Sequence, residues 1–189
     1  ELTRRERAAG RLPQGYVYCL PTEAEWELGC RAGSKTAFTF GDDEGRLGQY
    51  AVSAESRAGA FVNAVKSKKA NAWGFFDMHG NVWEWCADEV DYNNGVVSDT
   101  YRPGIEDPYN RSGPLRASRG GGWCSSAANC RSANRFAYGP GFADYDLGPG
   151  LLSPLGPYAE PGEITTAASS KTRSQKPAEV CPSGTRAHR

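Results

Sequence analysis

Apolar and polar positions change their spacing several times along the chain, and each change predicts an element. Residues 2–9 (LTRRERAA) are charged and helix-compatible, with Gly10 placed to stop the helix. Tyr16, Val17, Tyr18, Cys19 and Leu20 form a short alternating run that predicts a strand. TEAEWELGCRAG then opens a clearer helix: Thr22 is a cap, and Glu25, three residues on, can reach back to close a capping box. Trp26 and Cys30 fall four apart on one face, which predicts a buried stripe, and Gly33 is the expected stop. Residues 34–72 are loop-rich. In NVWEWC, Val82, Glu84 and Cys86 alternate with Trp83 and Trp85, predicting a strand with unlike faces. Residues 91–118 are irregular, with turn signals at Asn93-Asn94-Gly95 and Arg102-Pro103-Gly104. Residues 153–189 are rich in Pro, Ser, Thr, Ala and Gly with Tyr158 as the only aromatic, a composition that predicts a disordered tail. Short elements among long loops indicate an α+β domain over residues 1–152.

Composition narrows the function classes. The 189 residues carry 22 Lys+Arg against 22 Asp+Glu, a formal net charge of zero. That balance lacks the electrostatic footprint of a general nucleic-acid binder, so no nucleic-acid partner is expected. No apolar run approaches the ~20 residues of a membrane span. The six cysteines show no CxxC pairing of the zinc type and are too spread for a small disulfide scaffold. ELTRRERAAG has no apolar signal-peptide core and reads as a helix entered midway, so a fragment of a longer protein is expected. Nothing here assigns a compartment.

Two constellations carry candidate chemistry. In Asp77-Met78-His79-Gly80-Asn81-Val82-Trp83-Glu84, two carboxylates flank a glycine turn and offer hard oxygen donors, which suit calcium better than zinc. The competing reading is a turn before a buried strand, with Glu84 paired to Arg119 or Arg131. His79 lacks an accompanying nucleophile motif and is expected to be a solvent-facing turn residue. In RGGGWCSSAANCRSANR, Cys124 and Cys130 can form a Cu(I) pair, a disulfide or a thiolate assisted by Arg119, Arg131 or Arg135. They can equally be one buried and one exposed thiol. The glycines lack the following Lys-Ser/Thr of a phosphate loop and predict a close backbone approach.

CLPTEAEWELGCRAG, NAWGFFDMHGNVWEWCADE and SRGGGW…NCRSANR together resemble the signature blocks of the formylglycine-generating-enzyme (sulfatase-modifying factor) family, in that family's order. The resemblance implies a C-type-lectin-like α+β fold with a small antiparallel sheet, few helices and much irregular structure. It implies structural calcium held by the side chains of Asp77 and Glu84 and by carbonyls near Gly80 and Val82. For members that oxidise a sulfatase cysteine to formylglycine, it implies a copper-holding C-x4-C pair. The second of that pair matches Cys130, but the first falls at Ser125, one place from Cys124.

The C-terminal block also resembles variable proteins of diversity-generating retroelements. Trp123, Ala127, residues 129–135, Pro140, Leu147 and Gly148 match that frame. Departures gather at mutable slots: Cys124, Ser125, Ser126 and Ala128, then Phe136, Ala137, Tyr138 and Gly139. They continue at Gly141, Phe142 and Ala143, then at Asp144, Tyr145 and Asp146. Adenine-directed mutation of an Asn codon cannot yield Lys, Glu, Gln, Met or Trp, and none occurs over residues 124–146. The resemblance implies a diversified surface for a protein or other macromolecular ligand, where aromatics give contact area and small residues adaptability. Two departures stand out: the family's opening portion precedes residue 1, and Leu147-Gly148-Pro149-Gly150 stands where Leu-Gly-Phe-Arg is usual.

Overall fold

The capping box at Thr22 forms as the sequence predicts. In the computed structural model the Thr22 hydroxyl accepts the Glu25 N–H at 3.2 Å, and the Glu25 carboxylate accepts the Thr22 N–H at 2.7 Å. The structure describes residues 1–56, 61–93, 96–97, 101, 104–143, 147–148 and 153–155. Helix α1 spans Leu2–Ala8 and helix α2 spans Glu23–Arg31. The latter ends where Ala32 enters the left-handed region (φ 46°), with Gly33 continuing it (φ 89°). Its first N–H, on Glu23, is taken by the buried carboxylate of Asp88 at 2.7 Å, which ties the helix start to the sheet.

The strands are β1 (Val17–Cys19), β2 (Trp83–Val90), β3 (Tyr92–Asn93), β4 (Val96–Val97), β5 (Leu115–Arg119), β6 (Phe136–Tyr138), β7 (Leu147–Gly148) and β8 (Ser153–Leu155). The central sheet has the order β6-β5-β2-β7. β2–β5 and β5–β6 are antiparallel, while β7 runs parallel to β2. The sheet is therefore mixed, not purely antiparallel as expected, because a two-residue strand arriving through a long loop can pair in either sense. The register of β2 on β5 shifts between Trp85 and Glu89, and there the Ala87 N–H leaves the ladder to bond Pro21 O at 2.7 Å. β3 and β4 pair antiparallel on either side of the predicted Asn94-Gly95 turn, which lies outside the described residues. β8 pairs antiparallel with β1, so the first three residues of the segment expected to be disordered are strand; residues 156–189 lie outside the described residues.

Two apolar clusters lie beneath the sheet and loops. Trp26, Cys30, Phe75, Met78, Cys86, Val90, Ala117 and Ala137 form the first, between α2 and the inner face of the sheet. Phe38, Leu47, Ala51, Ala127 and Cys130 form the second, under the loops. The RGGG stretch makes the predicted close approach. A Cβ on Gly121 (φ 78°) would stand 2.8 Å from Cys130 Sγ, and one on Gly80 (φ 131°) 2.3 Å from Val52 O, so neither position accepts a side chain.

A candidate ligand surface held from beneath

Residues 121–135 have almost no regular structure, yet their backbone is fixed at nearly every other residue. The Trp123 N–H donates to Asn81 O at 2.9 Å, and Ser125 O accepts the Ala54 N–H at 3.0 Å. The Ala127 N–H, opening a short 3-10 turn over Ala127–Cys130, donates to Glu55 Oε1 at 3.2 Å. Cys130 O meets His79 Nδ1 at 2.8 Å, and the Ser132 N–H donates to Ala37 O at 2.9 Å. Arg119 Nη1 donates to both Ser132 O and Asn134 O at 2.9 and 2.8 Å. Because the polar backbone is satisfied by the framework, side-chain identity on the outward side is not needed to hold the loop.

The buried anchor of this arrangement is an ion network. Arg119 is fully buried, with Nε 3.0 Å from Glu23 and Nη2 2.5 Å from Glu27, while Arg135 also reaches Glu23 at 2.5 Å. Burial alone would discourage the Arg119 charge, but Glu23, Tyr101 and Glu27 around it push its pKa above the usual value. Glu84, opposite Arg119 in register, accepts the Trp26 indole N–H at 2.7 Å.

His79 corrects an expectation. It is buried, not solvent-facing: its Nε2 accepts the Thr39 N–H at 3.0 Å, and the rings of Phe38 and Phe40 meet it edge-on. Those contacts assign the proton to Nδ1, which donates to Cys130 O. Burial pushes its pKa down to about 4, so the imidazole is neutral. Its turn was legible in the sequence, but the segments around residues 39 and 130 that enclose it were not.

The outward positions divide. Ser126, Ala128, Gly141, Phe142 and Ala143 are exposed, and Cys124, Phe136, Tyr138 and Gly139 are half-buried. Ser125 and Ala137 point inward: the Ser125 hydroxyl accepts the Gly122 N–H, and Ala137 belongs to the sheet core. Those two slots shape the scaffold and offer a ligand little surface. Asp144, Tyr145 and Asp146 lie outside the described residues.

On the outer sheet face the slots meet framework rings. Trp83 lies 5.4 Å from Phe136, Trp85 6.1 Å from Tyr138, and Tyr138 stacks on Phe142 at 4.9 Å. Register places Ser118 between Trp85 and Phe136, and Arg116 opposite Tyr138. These framework residues escaped the sequence reading, although the 82–86 alternation already separated the two tryptophans from the core face.

Cys130 and Cys30 are buried thiols whose surroundings disfavour ionisation. Cys130 is fully buried and its pKa is pushed up to about 12, by burial first and then by Glu55 and Cys124. Cys30, beside His79 at 3.8 Å, is likewise pushed up to about 12 by burial. A reactive thiolate needs the opposite surroundings. In the expected calcium segment, Asp77 (φ 60°) accepts the Lys66 N–H at 2.7 Å, and Gly80 O accepts the Val82 N–H at 2.9 Å. The two carboxylates are thus engaged by different parts of the chain, Asp77 by the residue-66 loop and Glu84 by α2. The donor set is all hard oxygen and fits calcium chemically. Among the described residues no group of three or more His, Cys, Asp or Glu side chains gathers as a metal centre.

Residues 5–150 match the sequence model of the sulfatase-modifying factor enzyme 1-like domain. The chain belongs to this family. Its relatives include the serine/threonine-protein kinase pkn1 of Chlamydia pneumoniae, 33% identical over 137 residues, covering 68% of this chain and 20% of that protein. The formylglycine-generating enzyme of Streptomyces coelicolor is 30% identical over 146 residues, covering 68% of this chain and 44% of that one. Among solved structures, Treponema denticola variable protein 1 superposes with a TM-score of 0.61 at 35% identity, over 70% of this chain and 46% of that one. The chain thus spans less than half the length of each. The α+β fold of the formylglycine-generating-enzyme family is established, and with it the likeness to a variable protein. Among the described residues no helix is long and apolar enough to cross a membrane.

Proposed function

We propose that this chain is a non-catalytic ligand-binding domain whose diversified surface runs over residues 124–146 and takes a protein or other macromolecular ligand. One observation carries the reading: the backbone of residues 121–135 is held by Asn81, Ala54, Glu55, His79, Ala37 and Arg119, while Ser126 and Ala128 project outward. A surface supported in this way accepts new side chains without refolding. Displaying a library randomised at Ser126, Ala128, Tyr138 and Phe142, then selecting on unrelated proteins, tests it. Folded, specific binders are expected, and a library that mostly unfolds overturns the reading. An adjacent reverse transcriptase, with a template repeat mismatched only at adenines, is expected in the encoding DNA.

Two other readings have support of their own. The match to formylglycine-generating enzymes favours a copper-dependent oxidase with Cys124 and Cys130 as its thiol pair. The one-residue offset of Cys124 from the first cysteine position of the C-x4-C pattern opposes it, and absence of a mass change in a CxPxR-type peptide incubated with copper-loaded protein removes it. The match to one-fifth of a kinase favours a scaffold module within a longer multidomain protein, which the full-length gene decides. Calcium at Asp77, Gly80, Val82 and Glu84 is a structural proposal resting on hard-oxygen chemistry. Asp77→Asn keeps the acceptor for Lys66 but removes charge. It is expected to abolish a calcium-dependent rise in Tm while leaving Tm in chelator unchanged; an unaltered calcium response would exclude Asp77 as a ligand.

A further inference from the structure

Packing explains part of the 126–135 row and leaves part unexplained. Cys130 and Ser132 are buried, and Arg135 is held by Glu23, but Asn129, Arg131 and Ala133 face solvent beside the slots Ser126 and Ala128. Arg131 is nonetheless held in place. Its Nε donates to Ala128 O at 2.9 Å, which folds the side chain back over the short turn, and no hydrogen bond or ion pair among the described residues engages either Nη group. The ion pairs among the described residues use Arg4, Arg5, Arg11, Arg31, Arg116, Arg119 and Arg135, and none brings a carboxylate within 4 Å of Arg131. The exposed positions near it in sequence, Ser126, Ala128, Asn129 and Ala133, are short and uncharged.

We infer that Arg131 is a fixed anchor for a carboxylate, an Asp or Glu side chain on a protein partner, set among the changeable positions of the ligand surface. The inference rests on the ligand-binding reading above and names the chemistry of its partner. Two unengaged Nη groups match the two oxygens of a carboxylate, and the Nε tether has already removed much of the side-chain freedom that binding would otherwise cost. None of the described slots supplies an acidic group that would compete. The chain's zero net charge favours a discrete acidic side chain over a polyanion. On this assignment Arg131 contributes a common contact, while Ser126, Ala128 and the rings choose among partners.

The test uses the full chain, 15N-labelled, titrated with the acetylated, amidated peptide Gly-Tyr-Glu-Tyr-Gly, its Gln counterpart and its phosphoserine counterpart. The Glu peptide is expected to shift the Arg131 Nε–H and the Ala128 amide, and to bind roughly fivefold or more tightly than the Gln peptide. Arg131→Gln should abolish that preference with the rest of the spectrum unchanged, and Arg131→Lys should retain only part of it. Equal binding of the Glu and Gln peptides, or no shift at Arg131, overturns the inference; binding of the phosphoserine peptide alone overturns it in favour of a phosphate site. Failure of the underlying reading looks different. If Arg131 selects the Glu peptide while substitutions at Ser126, Tyr138 and Phe142 leave every selected protein binder unaffected, the anchor stands and the diversified surface falls.

Discussion

The two faces of the central sheet are held by different physics. The inner face meets α2 through directional, paired groups: Arg119 with Glu23 and Glu27, Asp88 with the Glu23 N–H, and Glu84 with the Trp26 indole. The outer face is a run of rings, Trp83, Phe136, Tyr138, Phe142 and Trp85, touching at 4.9–6.1 Å with tilted, stacked and edge-on geometries. Ring contacts tolerate many angles and many substitutes, whereas a buried charge tolerates almost none. On the proposed reading, that contrast would let the sheet keep its fold while its outer surface changed.

Substitution can break that contrast, most severely at Arg119. Arg119→Met leaves Glu23 to Arg135 and Glu27 to Arg31, removes the buried cation between them and the donor to Ser132 O and Asn134 O, and is expected to cost about 3–5 kcal/mol in urea unfolding. An unchanged midpoint would mean that the inner network is dispensable. Trp26→Phe keeps a ring but leaves Glu84 without the indole donor, and should cost about 1–3 kcal/mol. Trp85→Phe on the outer face should cost less, and equal losses would erase the distinction between the faces.

Acid titration probes the same network more gently. Burial would raise the Glu27 pKa, but Arg119 and Arg31 hold it below the ordinary 4.5. A depressed carboxylate contributes stability that is present at neutral pH and lost as pH falls below 4.5 through its lowered pKa, since the unfolded chain then binds more protons. The stability gap between wild type and Glu27→Gln should therefore shrink from pH 7 to pH 3; a constant gap would show that Glu27 carries no such linkage. The smallest effect is expected outside. Tyr138→Ser and Phe142→Ser should each change stability by about 1 kcal/mol or less, while altering which selected ligands bind. Losses there as large as that of Arg119→Met would make the outer rings a second core.

Legibility in the sequence tracked the range of the interactions. Thr22 and Glu25 announced the start of α2 because a capping box is closed within three residues, and the 82–86 alternation announced β2 because its period is local. The blocks carrying the family resemblance were readable for the same reason. The mixed sense of the sheet, the pairing of residues 153–155 with β1, the inward turn of Ser125 and Ala137 and the burial of His79 were not. Each depends on what a distant segment places against it.

The sequence by itself determined where α2 begins, which residues alternate in β2, which family the blocks resemble and which positions depart from its frame. Only the tertiary structure decided which of those positions face outward and what supports them. The reason is distance along the chain: His79 reaches Cys130 across 51 positions, and Arg135 reaches Glu23 across 112. No local pattern encodes such pairings, because their free energy exists only once the intervening chain has closed the loop.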